Sequence, residues 1–467
     1  MAGIGFSLRA SGLAGGYLAR ARSLGAAGVV GTGPWLVASV GLLIVSRSTD
    51  SRGADSAVVE RFQVSVTWIL AASLVWTSPL QLVLTRFIAD REYLRERERI
   101  LPNVLGAMAF VSGASALLAA CLLAAFHDQT LLVRALLAAA FVSACDAWLI
   151  IVVLGSLRRH RAVLGCFAAG YAVTVAACSL ASHRGLAELL AAFVLGQSTL
   201  VFAGLSVIQR CLCRDPQCDP VAFGFLEPRA MYLELAVTGL AFNLGCWADE
   251  LVFWLDPTTS RTVLGPLRAS SIYDLPSFAA SACLVPGTAV FLVHVETELS
   301  ERQRAFSDAV LAGATLQQLE TLAQLWTDAA RSGIAVLLRT LAATWLVSLA
   351  LAPVYLRWLD LDRTSADLHV PLFSVTAFAL SLQMLLSAVL SLLFYLDRRR
   401  IALAVGLLLC TSNAGLSWLT QRFSPEYYGY GHAIAMALTS VVALSLLNRA
   451  FANLVRDTFM SQPGAVR

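Results

Sequence analysis

Residues 131–156 read LLVRALLAAAFVSACDAWLIIVVLGS, an apolar run in which Arg134 and Asp146 carry the formal charges. As an α-helix rising 1.5 Å per residue, the run is about 39 Å long, enough to cross roughly 30 Å of hydrocarbon. Backbone N–H and C=O groups in lipid find no water, so a helix must satisfy them internally. The run therefore predicts a transmembrane helix.

Comparable apolar runs continue along the whole chain. Of its 467 residues, 58% are hydrophobic and 14% charged, whereas an ordinary soluble domain has about 25% charged residues. This balance excludes a water-soluble globule, and the alternation typical of membrane barrels is absent. The sequence predicts an all-α integral membrane protein with about twelve spans, near 24–46, 62–88, 103–126, 131–156, 161–182, 186–210, 231–255, 272–293, 333–357, 371–396, 400–420 and 430–450.

The basic residues predict the orientation of these spans. All 34 are Arg, and most fall on one side when both termini are placed in the cytoplasm, as the positive-inside rule requires. The apolar block from Leu24 to Val45 follows Arg9, Arg20 and Arg22, as in a secretion signal. It is too long for a signal sequence and has no small-residue cleavage site, so we expect it to remain as the first span.

A polar, Pro-containing loop divides the predicted spans into six and six. We expect an N-terminal bundle at 1–210, a linker at 211–230 and a C-terminal bundle at 231–467, the two-halved plan common among transporters. Within the second bundle, 294–331 is an amphipathic cytoplasmic segment with Leu316, Leu319, Ala323 and Trp326 at helical spacing. It is expected to lie on the membrane or against the bundle, or else to dock a cytosolic partner.

Several functional classes are disfavoured by the sequence. The net charge of +4 predicts no nucleic-acid partner. Cys211, Cys213 and Cys218 share one loop, but no nearby His completes four zinc ligands, so no metal or cofactor is expected. No phosphate-binding loop, metal-binding His pair or nucleophile motif is present, which argues against an enzyme.

The densest group of polar residues occurs in the seventh predicted span and in the residues that follow it. A charged group inside the membrane costs several kcal/mol unless it is paired or hydrated, so such residues are candidates for a substrate path. Asp249 and Glu250 are about 100° apart on a helix, so one is expected to face a cavity and the other a partner. The full group comprises Asn243, Trp247, Asp249, Glu250, Trp254, Tyr273 and Asp274.

A structural alternative exists for this group. The tryptophans would then belong to the interfacial aromatic belt, and the acids would pair with Arg261 or Arg268. Asp146 is a second substrate-path candidate, near mid-membrane and without an obvious partner in the sequence.

Other residues are expected to be structural or to act in gating. Arg86 and Asp90, four residues apart, share one face of a helix and can pair. Prolines interrupt the hydrogen bonds of a helix, which predicts kinks and, less often, exposed backbone at a binding site. These interruptions occur at Pro34, Pro276, Pro286 and Gly287.

Short motifs in a fixed order connect the chain with a known family. They include Met1-Ala-Gly-Ile-Gly-Phe6, Gly33-Pro-Trp35, Thr85-Arg-Phe-Ile-Ala-Asp90, Asn243-Leu-Gly-Cys-Trp-Ala-Asp249, Ile272-Tyr-Asp-Leu-Pro276, Phe394-Tyr-Leu-Asp-Arg-Arg-Arg400 and Tyr428-Gly-Tyr-Gly431. With these motifs the chain resembles the PelG family from end to end, a branch of the flippase superfamily that includes lipid-linked oligosaccharide and multidrug exporters. It departs from the family at Glu250, where the family carries Lys, so the local charge beside Asp249 is altered.

The resemblance implies a MATE-like flippase fold and a function. The implied substrate is the Pel exopolysaccharide of the biofilm matrix, a partly deacetylated polymer of N-acetylgalactosamine and N-acetylglucosamine, exported across the bacterial inner membrane. The implied partners are a cytosolic glycosyltransferase, a cyclic-di-GMP receptor and a helical-repeat membrane protein, besides the lipid bilayer.

Three rival functions remain open at this point. A MATE-like cation or drug antiporter would use Asp146 or Asp249 as a proton site. A scaffold would assemble the polysaccharide synthase without transporting. A membrane enzyme such as a glycan acyltransferase is disfavoured, because no catalytic motif is present and the external loops are short.

Overall fold

The computed structural model of the chain describes residues 17–50, 56–181, 185–212, 220–227, 232–358 and 363–460. Across these ranges ten helices are long and apolar enough to cross a membrane, and the shorter apolar helices Gly31–Ser46 and Leu233–Cys246 accompany them. This confirms the predicted all-α membrane fold with about twelve transmembrane helices in two bundles.

The first compact unit, called here the N-terminal unit, comprises Gly33–Trp247 and Phe253–Ser271. It holds the second half of helix α1 (Tyr17–Asp50) and ends with a two-stranded antiparallel hairpin of β1 (Arg261–Leu264) and β2 (Leu267–Ala269). The helices between are α2 (Ser56–Tyr93), α3 (Ile100–Leu122), α4 (Leu131–Ser156), α5 (His160–Ala181), α6 (Leu186–Cys211) and α7 (Leu233–Cys246).

Small residues allow helices of this unit to pack closely. A Cβ atom at Gly196 of α6 would lie 2.6 Å from the Gly170 carbonyl oxygen of α5 and 1.8 Å from the Thr174 hydroxyl. Lipid tails are as apolar as leucine, so helix association in a bilayer depends on such close van der Waals contact. The α5–α6 pair therefore requires glycine at this crossing.

The second compact unit, the C-terminal unit, comprises Met1–Thr32, Ala248–Val252 and Ile272–Arg467. Packing thus groups α7 with the N-terminal unit, whereas the division at 211–230 follows helix order and stays a prediction. The helices after α7 are α8 (Ala248–Leu255), α9 (Asp274–Ala280), α10 (Leu284–Val290), α11 (Glu296–Leu311), α12 (Leu316–Trp358), α13 (Arg363–Tyr395), α14 (Arg399–Gln421), α15 (Tyr430–Ala452) and α16 (Leu454–Met460).

The span expected at 272–293 is a series of short helices. A 3₁₀ turn, Ser281–Cys283, separates α9 from α10, and a π-helical turn, Phe291–Val295, separates α10 from α11. Pro276 and Pro286 each occupy the third position of their own helix. A proline in the first turn breaks no hydrogen bond, since those N–H groups have no partner within the helix. The prolines therefore lie where each new helix starts.

The segment at 294–331 is a helical hairpin rather than a separate helix between two spans. α12 runs without a break from Leu316 to Trp358. Its polar first part, within 294–331, and the apolar part that forms the next span therefore belong to one helix. Leu319, Ala323 and Trp326 are buried, whereas Leu316 is 61% exposed. The Trp326 ring lies 5.8 Å from Phe451 of α15, so the segment packs against the bundle.

Candidate functional site

A break in the seventh predicted span places two carboxyl groups at the start of a new helix. The sequence predicts one helix at 231–255, but α7 ends at Cys246 and α8 begins at Ala248, with Trp247 between them at φ −101° and ψ 0°. Asp249 and Glu250 therefore lie in the first turn of α8. Unpaired N–H groups and the helix dipole favour negative charge at this position.

Asp249 is the centre of a buried hydrogen-bonded cluster in the C-terminal unit. Its Oδ2 accepts a hydrogen bond from the Tyr273 hydroxyl at 2.5 Å and lies 2.5 Å from Nδ1 of His432. Its Oδ1 accepts a hydrogen bond from Nδ2 of Asn413 at 3.1 Å. All four side chains are 2% exposed or less. Side chains from α14, α15 and the residue before α9 thus hold the carboxyl group of α8.

The backbone at the start of α15 places His432 beside Asp249. Gly429 precedes the helix at φ +82°, a left-handed conformation that glycine adopts without strain. At the next glycine, Gly431, a Cβ atom would lie 2.4 Å from the Leu416 carbonyl oxygen of α14. The two backbones can therefore approach closely one residue before His432, whose imidazole contacts Asp249.

Two further acids lie beside this cluster. Glu250 is close enough to Asp249 and Asp274 for the ionised carboxyl groups to repel one another. Both Glu250 and Asp274 are partly exposed, whereas Asp249 is 1% exposed. Three carboxyl groups and one imidazole form a group that can exchange protons and accept hydrogen bonds. Buried ionisable groups in membrane helices are costly and commonly mark functional sites.

The other candidates of the seventh span lie in the N-terminal unit. Asn243 donates a hydrogen bond to the Gly239 carbonyl within α7 at 3.0 Å. The Trp254 ring lies 4.6 Å from the Trp68 ring and 6.1 Å from the Trp247 ring, measured between centroids. Trp254 is 2% exposed, so its ring is a packing element. Trp247 is partly exposed.

The two arginines considered as partners of the acids are engaged within the hairpin region. Arg261 forms an ion pair with Glu60 at the start of α2. Arg268 donates from Nε to the Ser260 hydroxyl at 2.8 Å and from Nη1 to the Thr262 hydroxyl at 2.9 Å. The two guanidinium groups thus stabilise the hairpin. Asp249 forms its hydrogen bonds instead with residues that include Asn413 of α14 and His432 of α15.

Asp146 adjoins a cavity of about 430 Å³ in the N-terminal unit. The Ser112 hydroxyl lies 2.9 Å from each of its carboxylate oxygens, a partner that the sequence did not suggest. Small and apolar residues of α3, α4 and α6 form most of the cavity wall. The lining residues are Ala116, Ala120, Leu123, Ala138, Ala139, Val142, Ser143, Asp146, Val194 and Ser198.

The residues expected to be structural or to act in gating lie within helices. Arg86 Nε and Asp90 Oδ1 are 2.9 Å apart on one face of α2. Pro34 lies inside α1. A Cβ atom at Gly287 would lie 2.7 Å from the Leu341 side chain of α12, so glycine allows α10 to approach α12.

Sequence reasoning missed His432 and Asn413. Each is a polar residue in an apolar span, which was the available signal, but their distance along the chain hid the contact with Asp249. Across the described ranges, no three His, Cys, Asp or Glu side chains are grouped so that they could hold a metal ion. Cys213 and Cys218 lie outside those ranges.

Similarity to solved structures concerns the fold. The chain is similar to the outward-facing conformation of a multidrug resistance MATE family transporter of the MOP superfamily, at 11% identity and TM-score 0.61, covering 93% of this chain and 97% of that one. A mutant of the Vibrio cholerae MATE transporter VcmN gives 12% identity and TM-score 0.64, over 93% and 99% of the two chains. A MOP superfamily transporter from Pyrococcus furiosus gives 13% identity and TM-score 0.56, covering 92% of this chain and 96% of that one.

The family follows from a match to the chain's own sequence. No curated protein matches the chain. The family model "PelG: Putative exopolysaccharide Exporter (EPS-E)" matches residues 1–459, nearly the full length. Family and fold are those of transporters rather than enzymes. The chain, a multi-pass membrane protein, therefore belongs to the PelG family.

Proposed function

We propose that the chain exports the Pel exopolysaccharide, an amino-sugar-rich glycan, from the cytoplasm to the periplasm for the biofilm matrix. The observation that carries the proposal is the match to an exopolysaccharide exporter family over residues 1–459. A MATE-like transporter fold over 93% of the chain supports movement of a substrate across a membrane. The setting is the bacterial inner membrane, with both termini in the cytoplasm.

The acids of the C-terminal unit suit this substrate. Glu250 and Asp274 are partly exposed, and neighbouring carboxyl groups offer hydrogen-bond acceptors to the protonated amines that a partly deacetylated glycan carries. Asp249 is already supplied with three donors, so it positions α8 rather than binding sugar. Trp247, partly exposed in the N-terminal unit, offers an apolar ring face for sugar stacking.

Secretion by a complemented deletion strain tests this function. Polymer would be detected with a lectin in cultures that carry the wild type, Glu250→Gln or Asp274→Asn, with membrane levels of the protein measured alongside. Glu234→Gln is the matched control, since Glu234 lies in the first turn of α7 and is also partly exposed. We expect the first two variants to lose secretion at normal protein levels and the control to keep it.

Two outcomes would contradict the proposal. If the deletion strain still secretes the polymer, the chain is not its exporter. If both acid variants secrete normally, the acids do not line the path, and a scaffold for the synthase becomes the better explanation. The cytosolic glycosyltransferase, cyclic-di-GMP receptor and helical-repeat membrane protein are proposed partners, which co-purification with the full chain would test.

The cavity beside Asp146 favours a second candidate function, the antiport of small organic cations. Its volume of about 430 Å³ falls within the roughly 300–1,000 Å³ typical of small-molecule pockets. An antiporter would expel a cationic dye from whole cells, and Asp146→Asn would abolish that efflux. Equal dye retention in the wild-type and deletion strains would exclude this candidate.

A further inference from the structure

His432 has one ring nitrogen that the cluster leaves unused. Nδ1 faces Asp249 at 2.5 Å, whereas Nε2 is buried and has no hydrogen-bond partner among the described residues. The side chain is 2% exposed. A buried polar atom without a partner loses its hydrogen bonds to water and gains none in return. Such an atom in a tightly packed site requires an explanation.

The chemistry of the surrounding atoms limits what the site can take up. Asp249 accepts hydrogen bonds from a hydroxyl and an amide, and Asn413 Oδ1 in turn accepts one from the Ser417 hydroxyl at 3.0 Å. Hard cations such as Ca²⁺ or Mg²⁺ require several oxygen acceptors around them. Hydrogen-bond donors already contact both oxygens of the Asp249 carboxylate, so a metal ion would have to displace them. A proton needs only one lone pair, such as the one on Nε2 of His432.

We propose that Asp249 and His432 form a proton-binding site in which Nε2 of His432 takes up and releases the proton. In the neutral imidazole, Nδ1 carries the hydrogen and donates it to Asp249, and Nε2 holds a lone pair. Uptake of one proton at Nε2 gives an imidazolium ion beside the carboxylate. The Asp249 carboxylate stays ionised throughout, so the site gains one positive charge and no other bond changes.

The proton changes how firmly α8 is held. A carboxylate–imidazolium pair forms stronger hydrogen bonds than a carboxylate with a neutral imidazole. Asp249 lies in the first turn of the eight-residue helix α8, and His432 lies near the start of α15. Protonation therefore tightens the contact of α8 with α15, and deprotonation loosens it. If the proposed export function holds, one step of the export cycle depends on this proton.

Other ionisable groups lie on the elements around the pair. Glu250 and Asp274 are further carboxyl groups near Asp249. Among the side chains that the structure describes, the ionisable residues of α8, α9 and its preceding residue, α13 and α14 are Asp249, Glu250, Tyr273, Asp274, His369, Tyr395, Arg399, Arg400 and Cys410. Variants of these residues serve to separate their titration from that of His432.

Nitrogen NMR of the full-length protein tests the proposal directly. The chain has six histidines, so ¹⁵N-histidine labelling in lipid nanodiscs gives few signals, and His432→Gln identifies the relevant one. We expect spectra recorded over a series of pH values to contain both the singly and the doubly protonated form of the His432 ring. The ring N–H signal shifted by its carboxylate partner is expected to disappear in Asp249→Asn and to remain in the control His160→Gln. A ring in one protonation state at every pH would overturn the proposal.

Secretion then tests whether the proton matters for export. Glutamine at 432 can donate to Asp249 but cannot bind a proton at physiological pH. His432→Gln at normal protein level is therefore expected to reduce secreted polymer by about tenfold, a change within the usual range of coupling between two sites. Wild-type secretion by this variant would overturn the role in export. Secretion by the deletion strain would overturn the export function and leave the NMR result standing.

Discussion

Replacement of Tyr273 by Phe isolates one hydrogen bond of the Asp249 cluster. The ring is fully buried and is kept, so no cavity forms, and the hydroxyl that donates to Asp249 at 2.5 Å is lost. A hydrogen bond to a charged group contributes about 1.5–3 kcal/mol. Asp249 retains Asn413 and His432, so we expect a loss of about 2 kcal/mol. For a unit of this size, 1 kcal/mol corresponds to about 2–4 °C, hence a shift of about 4–8 °C.

Thermal unfolding of the purified protein in one detergent, at one scan rate, measures this shift. Tyr427→Phe is the matched control, because its side chain is 52% exposed and loss of its hydroxyl is expected to change stability by less than about 0.5 kcal/mol. Tyr273→Phe should also cost less when Asp249→Asn is already present, since the two residues then no longer share a charged hydrogen bond. An unchanged Tm, or the same decrease in both backgrounds, would refute the reasoning.

Three further changes test the packing and the ion pairs. Gly431→Ala forces a Cβ atom to 2.4 Å from a carbonyl oxygen of α14, so it should destabilise the protein by about 1–3 kcal/mol in the same melting assay, whereas Gly415→Ala, with open space around it, should not. Glu60→Gln breaks a partly exposed ion pair and should cost at most about 1 kcal/mol; a larger shift would mean that the hairpin is a major stabilising element. Ser112→Ala removes the hydroxyl 2.9 Å from the Asp146 carboxylate and should reduce stability by about 1–3 kcal/mol; unchanged stability would contradict the role of this hydrogen bond.

The spans could be predicted because the bilayer fixes their length and apolar character. The run at 131–156 is a helix with those same limits. The break at Trp247 could not be predicted in this way, since a window of about 19 residues averages over a single residue. The hairpin formed by α11 and the start of α12 was also hidden, because polar residues that extend a helix beyond the membrane resemble a separate segment.

The site was predictable to the extent that it rests on single residues. Asp249 is conspicuous as a charge in an apolar span, whatever the fold. Its partners are not conspicuous in the sequence, because Asn413 and His432 are 164 and 183 residues away from Asp249. They reach Asp249 only through the packing of α8, α14 and α15 in the folded protein. Glu250 adds a second carboxyl group next to Asp249 in the chain, and the imidazole of His432 contacts the Asp249 carboxyl group.

The π-helical turn at Phe291–Val295 also fixes the rotational setting of everything that follows it. A π-helical turn contains one residue more than an α-helical turn, and each residue of an α-helix advances the face by about 100°. Because the turn already contains one extra residue, deletion of one residue from it would restore regular α-helical winding and leave the buried face of α11 unchanged. The buried side chains Leu299 and Phe306 would keep their contacts, whereas insertion of one residue with regular α-helical winding would rotate α11 by that angle. The turn is thus a position at which the chain can lose one residue and keep the setting of the α11–α12 hairpin.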